Sequence, residues 1–297
     1  MRKIIITFSG LLFFFILISC KRTNQNNIQS DILMKTIDYK DSKISYFDSG
    51  KKNITLLFVH GSFSNKEYWT DQVKFFSPDY RVVTLDLPGN GKSPKGNDAM
   101  TAKNYGDALT FFIKELNLKN VILIGHSAGA DAILEEAIQN PEPVIGFVAV
   151  DYFKNVGVPL PQEIIDQTTQ GLKKDFPATV EMYVRKGLVS QATDSAITKK
   201  IVNAYRNTEP EAGTEAIIDG LTYTDREKDL IGKLGFKIYM INVDYKPTNE
   251  DALKGIATKG YELITIQGTS HYPMIENPIA FNHALEKAIA EIEPNQQ

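Results

Sequence analysis

Val121-Ile122-Leu123-Ile124-Gly125-His126-Ser127-Ala128-Gly129-Ala130-Asp131-Ala132-Ile133-Leu134 is the stretch whose reading decides the fold. Its first four residues form a short β-branched and leucine run that predicts a buried strand. Residues 130–138 have the composition and apolar spacing of a helix. Between the two sits Gly-x-Ser-x-Gly, and strand, pentapeptide, helix is the context that a nucleophile elbow requires. Such a turn holds its serine in a strained backbone conformation and lifts the hydroxyl over the end of a sheet. Gly125 and Gly129 have to be small because strand and helix nearly collide there. The pentapeptide alone is a frequent chance pattern, so its weight depends on what the rest of the chain supplies.

Outward from it, strands and helices alternate. Residues 34–40 and 43–48, split by Asp41-Ser42, predict an antiparallel hairpin at a sheet edge. Residues 54–59, 80–86 and 144–150 predict buried strands, with helices over 67–76 and 101–116 between them. This order implies an α/β class with a mostly parallel central sheet flanked by helices on both faces. Ligands in such sheets sit at the carboxyl ends of the strands. The rhythm stops after Asp151. Residues 154–233 contain helical patterns, four prolines (Pro159, Pro161, Pro177, Pro210) and no convincing strand, and they read as a helical cap inserted between strands. Strands resume at 236–243 and 261–266, and a last helix follows, so the core comprises residues 34–153 and 234–297.

Four further features fall at strand ends: His60-Gly61-Ser62 after residues 54–59, Asp86 to Ser93 after 80–86, Asp244 after 236–243, and His271 with Pro273 after 261–266. With the Ser127 pentapeptide, in this order and spacing, the chain from about residue 34 onward resembles the α/β-hydrolase superfamily, and within it the capped serine esterases and lipases. The resemblance implies a serine hydrolase that cleaves an ester or related acyl bond without a cofactor. Carbon–carbon bond hydrolysis and perhydrolysis use the same residues, and a catalytically silent binding protein of this fold is the alternative from another class.

A serine hydroxyl needs a base within hydrogen-bond reach. Of four histidines, His271 follows the last strand and is the expected base; His60 is expected to brace loops, His126 to point away from the hydroxyl, and His283 to lie on a solvent-facing helix. The oxyanion hole is expected from backbone amides: that of Ala128 after the nucleophile and, by resemblance, that of Ser62 after His-Gly. The third member departs from the common pattern. Aligning on Pro247 places Lys246 where relatives carry an aspartate, and lysine cannot orient an imidazolium. Asp151, which ends the strand 144–150, is the expected acid, with Asp244 as the alternative.

Other patterns carry less. Gly89-Asn90-Gly91-Lys92-Ser93 imitates the end of a phosphate-binding loop, but Asp86 stands where its first glycine belongs. No spacing suggests a metal, and Asp131, Glu135 and Glu136 read as a solvated helix face. The cap aromatics Tyr152, Phe153, Phe176, Tyr183, Tyr205 and Tyr223 suggest either an apolar pocket or the packing core of the cap, and the partner that the resemblance implies is a small acyl substrate.

The amino terminus reads as an address. Arg2-Lys3, an apolar stretch over 4–18 and then Leu17-Ile18-Ser19-Cys20 form a secretory signal, residues 1–19. Its ending resembles a bacterial lipobox, which implies lipidation of Cys20, the sole cysteine. Residues 20–33 are polar and read as a tether. The expected location is the cell envelope, anchored by lipid to a bacterial membrane on its periplasmic or surface side. Removing residues 1–19 takes away two basic side chains and no acid, moving the net charge from −3 to −5. A mildly acidic chain without basic runs offers nothing to nucleic acid.

Overall fold

Eight strands form one sheet in a computed structural model that describes residues 34–293. The signal, Cys20 and the tether predicted before residue 34 lie outside the described residues. The strands are β1 (Lys35–Tyr39), β2 (Ser42–Asp48), β3 (Thr55–Val59), β4 (Arg81–Leu85), β5 (Val121–His126), β6 (Val144–Val150), β7 (Ile238–Val243) and β8 (Tyr261–Ile266). Their order is β1-β2-β4-β3-β5-β6-β7-β8. β1 pairs with β2, and β2 with β4, antiparallel; every later pairing is parallel. The hairpin therefore sits at the edge, as its alternating pattern predicts. β3 and β5 are buried along their whole length, which is why they read as continuous apolar runs.

The helices are α1 (Thr70–Phe76), α2 (Ala102–Glu115), α3 (Ala128–Gln139), α4 (Gln162–Lys174), α5 (Phe176–Gly187), α6 (Ser195–Arg206), α7 (Pro210–Thr222), α8 (Thr224–Lys233), α9 (Glu250–Lys254), α10 (Pro273–Glu276) and α11 (Pro278–Ile292). α1 is preceded by a 3₁₀ turn, Lys66–Trp69, so the helix predicted over 67–76 begins one helical type and ends another. α2 and α3 pack on each other over β3 and β5, while α1 packs with α11. Right-handed crossovers that run in opposite directions along the sheet require this division. Trp69 and Phe281, with ring centroids 6.0 Å apart, fill the α1–α11 layer, and Trp69 also meets Phe58 of β3 at 5.0 Å.

α4 to α8 lie between β6 and β7 with no strand among them. Three of the four prolines that broke the strand rhythm start helices: Pro161 precedes α4, and Pro177 and Pro210 occupy first turns of α5 and α7, where a missing N–H is harmless. Among the described residues no helix is long and apolar enough to cross a membrane.

One expectation is overturned. Asp131, Glu135 and Glu136 are buried, not solvated. α2 presses so closely on α3 that a Cβ on Gly106 would stand 2.4 Å from Cβ of Glu135. α8 then covers the same helix, with Arg226 making two 2.7 Å hydrogen bonds to the Glu135 carboxylate and Tyr223 donating a third at 2.7 Å. Burial works to raise the Glu135 pKa, but these donors outweigh it and hold the carboxylate below its ordinary range.

Candidate active site

Ser127 sits between β5 and α3 at φ 51° and ψ −130°, a conformation that L-residues adopt at a cost of about 1–3 kcal/mol. The glycines explain how the turn persists. A Cβ on Gly125 would meet the carbonyl oxygen of Gly129 at 2.5 Å, and one on Gly129 would meet the carbonyl oxygen of His60 at 2.5 Å. Strand, elbow and the His60-Gly61 turn are thus packed backbone against backbone. Gly61 also abuts the serine, since a Cβ there would lie 3.0 Å from both the His126 carbonyl oxygen and Cβ of Ser127.

The two candidate oxyanion donors share one cleft, lined by Ser62, Phe63 and Ala128 among others. Ala128 opens α3, so its amide has no acceptor within the helix. His60 holds the loop that carries Ser62. Burial depresses its pKa and keeps the ring neutral. Its Nε2 accepts from the Leu87 amide at 3.0 Å, so Nδ1 carries the proton and donates to the Gly61 carbonyl at 2.8 Å.

His271 and Asp151 come together from 120 residues apart. Nδ1–H of His271 donates to Oδ2 of the buried Asp151 at 2.6 Å. The other carboxylate oxygen accepts from the Val243 amide at 3.1 Å and lies 2.6 Å from Nζ of Lys154. Burial works to raise the Asp151 pKa; the hydrogen bond and charge of His271 and the charge of Lys154 prevail and hold it below its ordinary value. Asp244, the alternative acid, accepts a 3.3 Å bond from the Gly268 amide and makes no hydrogen bond to His271. Lys246 turns its ammonium to the Gly187 carbonyl at 3.2 Å.

The elbow meets His271 through the residue before the serine. The His126 ring lies 4.7 Å from the His271 ring, and its Nε2–H donates to the His271 carbonyl at 2.7 Å. Burial, and then the charge of His271, push the His126 pKa well down, so it packs as a neutral ring. A bond between Nε2 of His271 and the Ser127 hydroxyl is not among the hydrogen bonds of the described residues. In unliganded hydrolytic sites this bond is often long and tightens with substrate. His283 is exposed and pairs with Glu286 at 2.9 Å.

Two supports escaped the sequence. Glu276 of α10 clamps the His271 loop by accepting from the Ser270 amide and hydroxyl and from the Tyr272 amide, at 3.1, 2.6 and 3.2 Å. Lys154, three residues beyond Asp151, also rests over the Tyr245 ring at 4.7 Å. The i, i+3 spacing of Asp151 and Lys154 is a visible signal once a turn is expected there. The Asp86 loop has a structural role: Asp86 accepts from the Lys66 amide at 2.7 Å and the Lys92 amide at 2.9 Å, and pairs with the Lys66 ammonium at 2.5 Å. Its carboxylate fills the space beneath Gly91. Among the described residues no group of three or more His, Cys, Asp or Glu side chains is placed to hold a metal ion.

Comparison with known proteins agrees with this architecture. A family model described as the alpha/beta hydrolase fold matches residues 54–205. An (E)-2-((N-methylformamido)methylene)succinate hydrolase of Acinetobacter baylyi is 30% identical over 114 residues, 38% of this chain and 43% of that protein. A haloalkane dehalogenase of Mesorhizobium japonicum is 25% identical over 114 residues, 38% of this chain and 37% of that protein. The matched stretch thus spans less than half the length of these relatives. Among solved structures, a thermophilic esterase from Thermogutta terrifontis superposes with a TM-score of 0.73 at 18% identity, covering 87% of this chain and 98% of that one.

Proposed function

The chain belongs to the α/β-hydrolase fold family, and from that premise we propose that it is a serine hydrolase that cleaves an ester or related acyl bond. The observation that carries the reading is the 2.6 Å hydrogen bond from His271 to Asp151, made against the ring of the residue next to a serine at φ 51°. In the proposed cycle His271 takes the Ser127 proton as the hydroxyl attacks the carbonyl carbon, and Asp151 stabilises the imidazolium. The amides of Ala128 and Ser62 receive the developing oxyanion. His271 returns the proton to the leaving alcohol, then takes one from the water that attacks the acyl-enzyme and gives it to the Ser127 oxygen as the acid product departs. None of these steps asks for a cofactor.

A fluorophosphonate probe tests the reading. It is expected to label the wild-type chain at Ser127, and Ser127→Ala is expected to lose the label; an unlabelled wild type would leave a binding protein of the same fold. The leader supports a second part of the proposal, that Cys20 is lipidated and tethers the enzyme to a membrane of the cell envelope. Metabolic labelling with an alkyne fatty acid is expected to mark the wild type and not Cys20→Ser.

A further inference from the structure

His271 stands in a segment without helix or strand, residues 267–272, between β8 and α10. Such a segment does not pair its own backbone groups, so whatever accepts its amides fixes where the imidazole stands. The acceptors come from two places. The Ser270 and Tyr272 amides go to Glu276, as does the Ser270 hydroxyl. The His271 amide goes instead to the Leu188 carbonyl at 3.2 Å, in the loop that joins α5 to α6. The start of that loop is tied to the segment after β7: the Gly187 carbonyl accepts from the Tyr245 hydroxyl at 3.0 Å and from the Lys246 ammonium at 3.2 Å.

One side chain joins the two supports. Thr193, in the same α5–α6 loop, donates its hydroxyl to Oε2 of Glu276 at 3.0 Å and lies 3.0 Å from the Ser270 hydroxyl. Among the described residues it is the donor to Glu276 that comes from the helices inserted between β6 and β7; the others belong to the His271 segment itself. Ser270 is fully buried and Thr193 half-buried, so water does not simply replace this junction. Thr193 touches neither the imidazole nor the serine. Its reach is indirect, because a shift of the α5–α6 loop displaces the His271 amide and the Glu276 clamp together. Proton transfer between fixed side chains is sensitive to such shifts: a displacement of about 1 Å costs about 10²-fold in rate.

Resting on the hydrolase reading, we infer that Thr193 is a positioning residue of the reaction, which acts through Ser270 and Glu276 to hold the His271 imidazole in reach of Ser127. The test uses the full-length chain in detergent and p-nitrophenyl butanoate, with rates normalised to sites titrated with fluorophosphonate. Thr193→Val keeps the shape and removes the hydroxyl. It is expected to lower kcat about 10–100-fold with KM within about threefold of wild type, and to lower the melting temperature by no more than about 4 °C. Thr193→Ser keeps the hydroxyl and is expected to stay within about threefold of the wild-type kcat. Position is read apart from turnover in the downfield proton resonance of His271 Nδ1–H, expected sharp in wild type and Thr193→Ser and broadened by solvent exchange in Thr193→Val. A Thr193→Val that keeps kcat within about threefold, a loss confined to KM, an unchanged resonance, or a Thr193→Ser no better than Thr193→Val overturns the inference and leaves the hydrolase reading intact. A Thr193→Val that does not melt cooperatively is replaced by Thr193→Ala, with the same outcomes. A wild type that neither turns over the ester nor takes the probe sinks the hydrolase reading instead, and the resonance alone then decides whether Thr193 holds His271.

Discussion

Replacing Asp151 with asparagine removes the charge that faces His271 and keeps the shape. In the proposed cycle the imidazolium that forms during attack then loses an anion 2.6 Å from its Nδ1. For charge centres about 4 Å apart at an effective dielectric of about 20, the lost attraction is about 4 kcal/mol, about three decades of rate. The amide can also present N–H to Nδ1 and so hold the ring in the unproductive tautomer, which brings the expected loss in kcat/KM to about 10³–10⁴. Lys154, 2.6 Å from the other oxygen, keeps its charge and loses its counter-ion, so circular dichroism and a melting curve are needed to show that the variant is folded. The assay is turnover of p-nitrophenyl butanoate, normalised to sites titrated with fluorophosphonate, with Asp244→Asn as the control expected within twofold of wild type. A folded Asp151→Asn that loses less than tenfold, or a larger loss in Asp244→Asn, refutes the assignment.

Gly129→Ala pushes a Cβ to 2.5 Å from a backbone carbonyl that cannot swing away, which is expected to cost about 3 kcal/mol. At about 2–4 °C per kcal/mol for a chain of this size, the melting temperature should drop by about 6–12 °C, and a drop below 2 °C would contradict the packing described. Burial raises the Glu136 pKa from 4.5 to about 7. The folded state therefore binds the extra proton, and stability falls as pH rises from about 4.5 through about 7. Glu136→Gln, which keeps the bond to Asn140, is expected to be more stable than wild type at pH 8 and to lose that advantage at pH 5; parallel melting curves at both pH values check it. Arg226→Ala leaves the buried Glu135 with only Tyr223 as donor, but the arginine is half exposed, so the expected loss is about 1–2 kcal/mol, measured by urea denaturation.

The sheet was legible because its strands carry their burial in their composition: β3 and β5 are apolar runs with turn residues at both ends. The elbow was legible for a sharper reason, since its two glycines exist to prevent backbone collisions that the structure now shows at 2.5 Å. The carboxylate that partners His271 was legible only as a choice between Asp151 and Asp244. Both end strands at the same rim, and nothing local to either says which carboxylate turns to His271. The Asp131, Glu135 and Glu136 face was misread because helical periodicity registers charges on a face and is blind to a helix 90 residues later that folds over them. Lys154 and Glu276 were missed for the complementary reason. Each acts on a neighbour only a few residues away, through a turn whose geometry the tertiary fold sets.

His126 has a bearing on protein engineering. Its ring is a floor laid under His271 by the same five residues that carry the serine, and it is fastened by a bond to a backbone carbonyl 145 residues downstream. Transplanting residues 125–129 into a foreign scaffold would move the serine but leave that floor with nothing standing on it. A graft has to bring residues 270–272 along, with Glu276 to fasten them, because here the smallest portable unit is two separate pieces of chain.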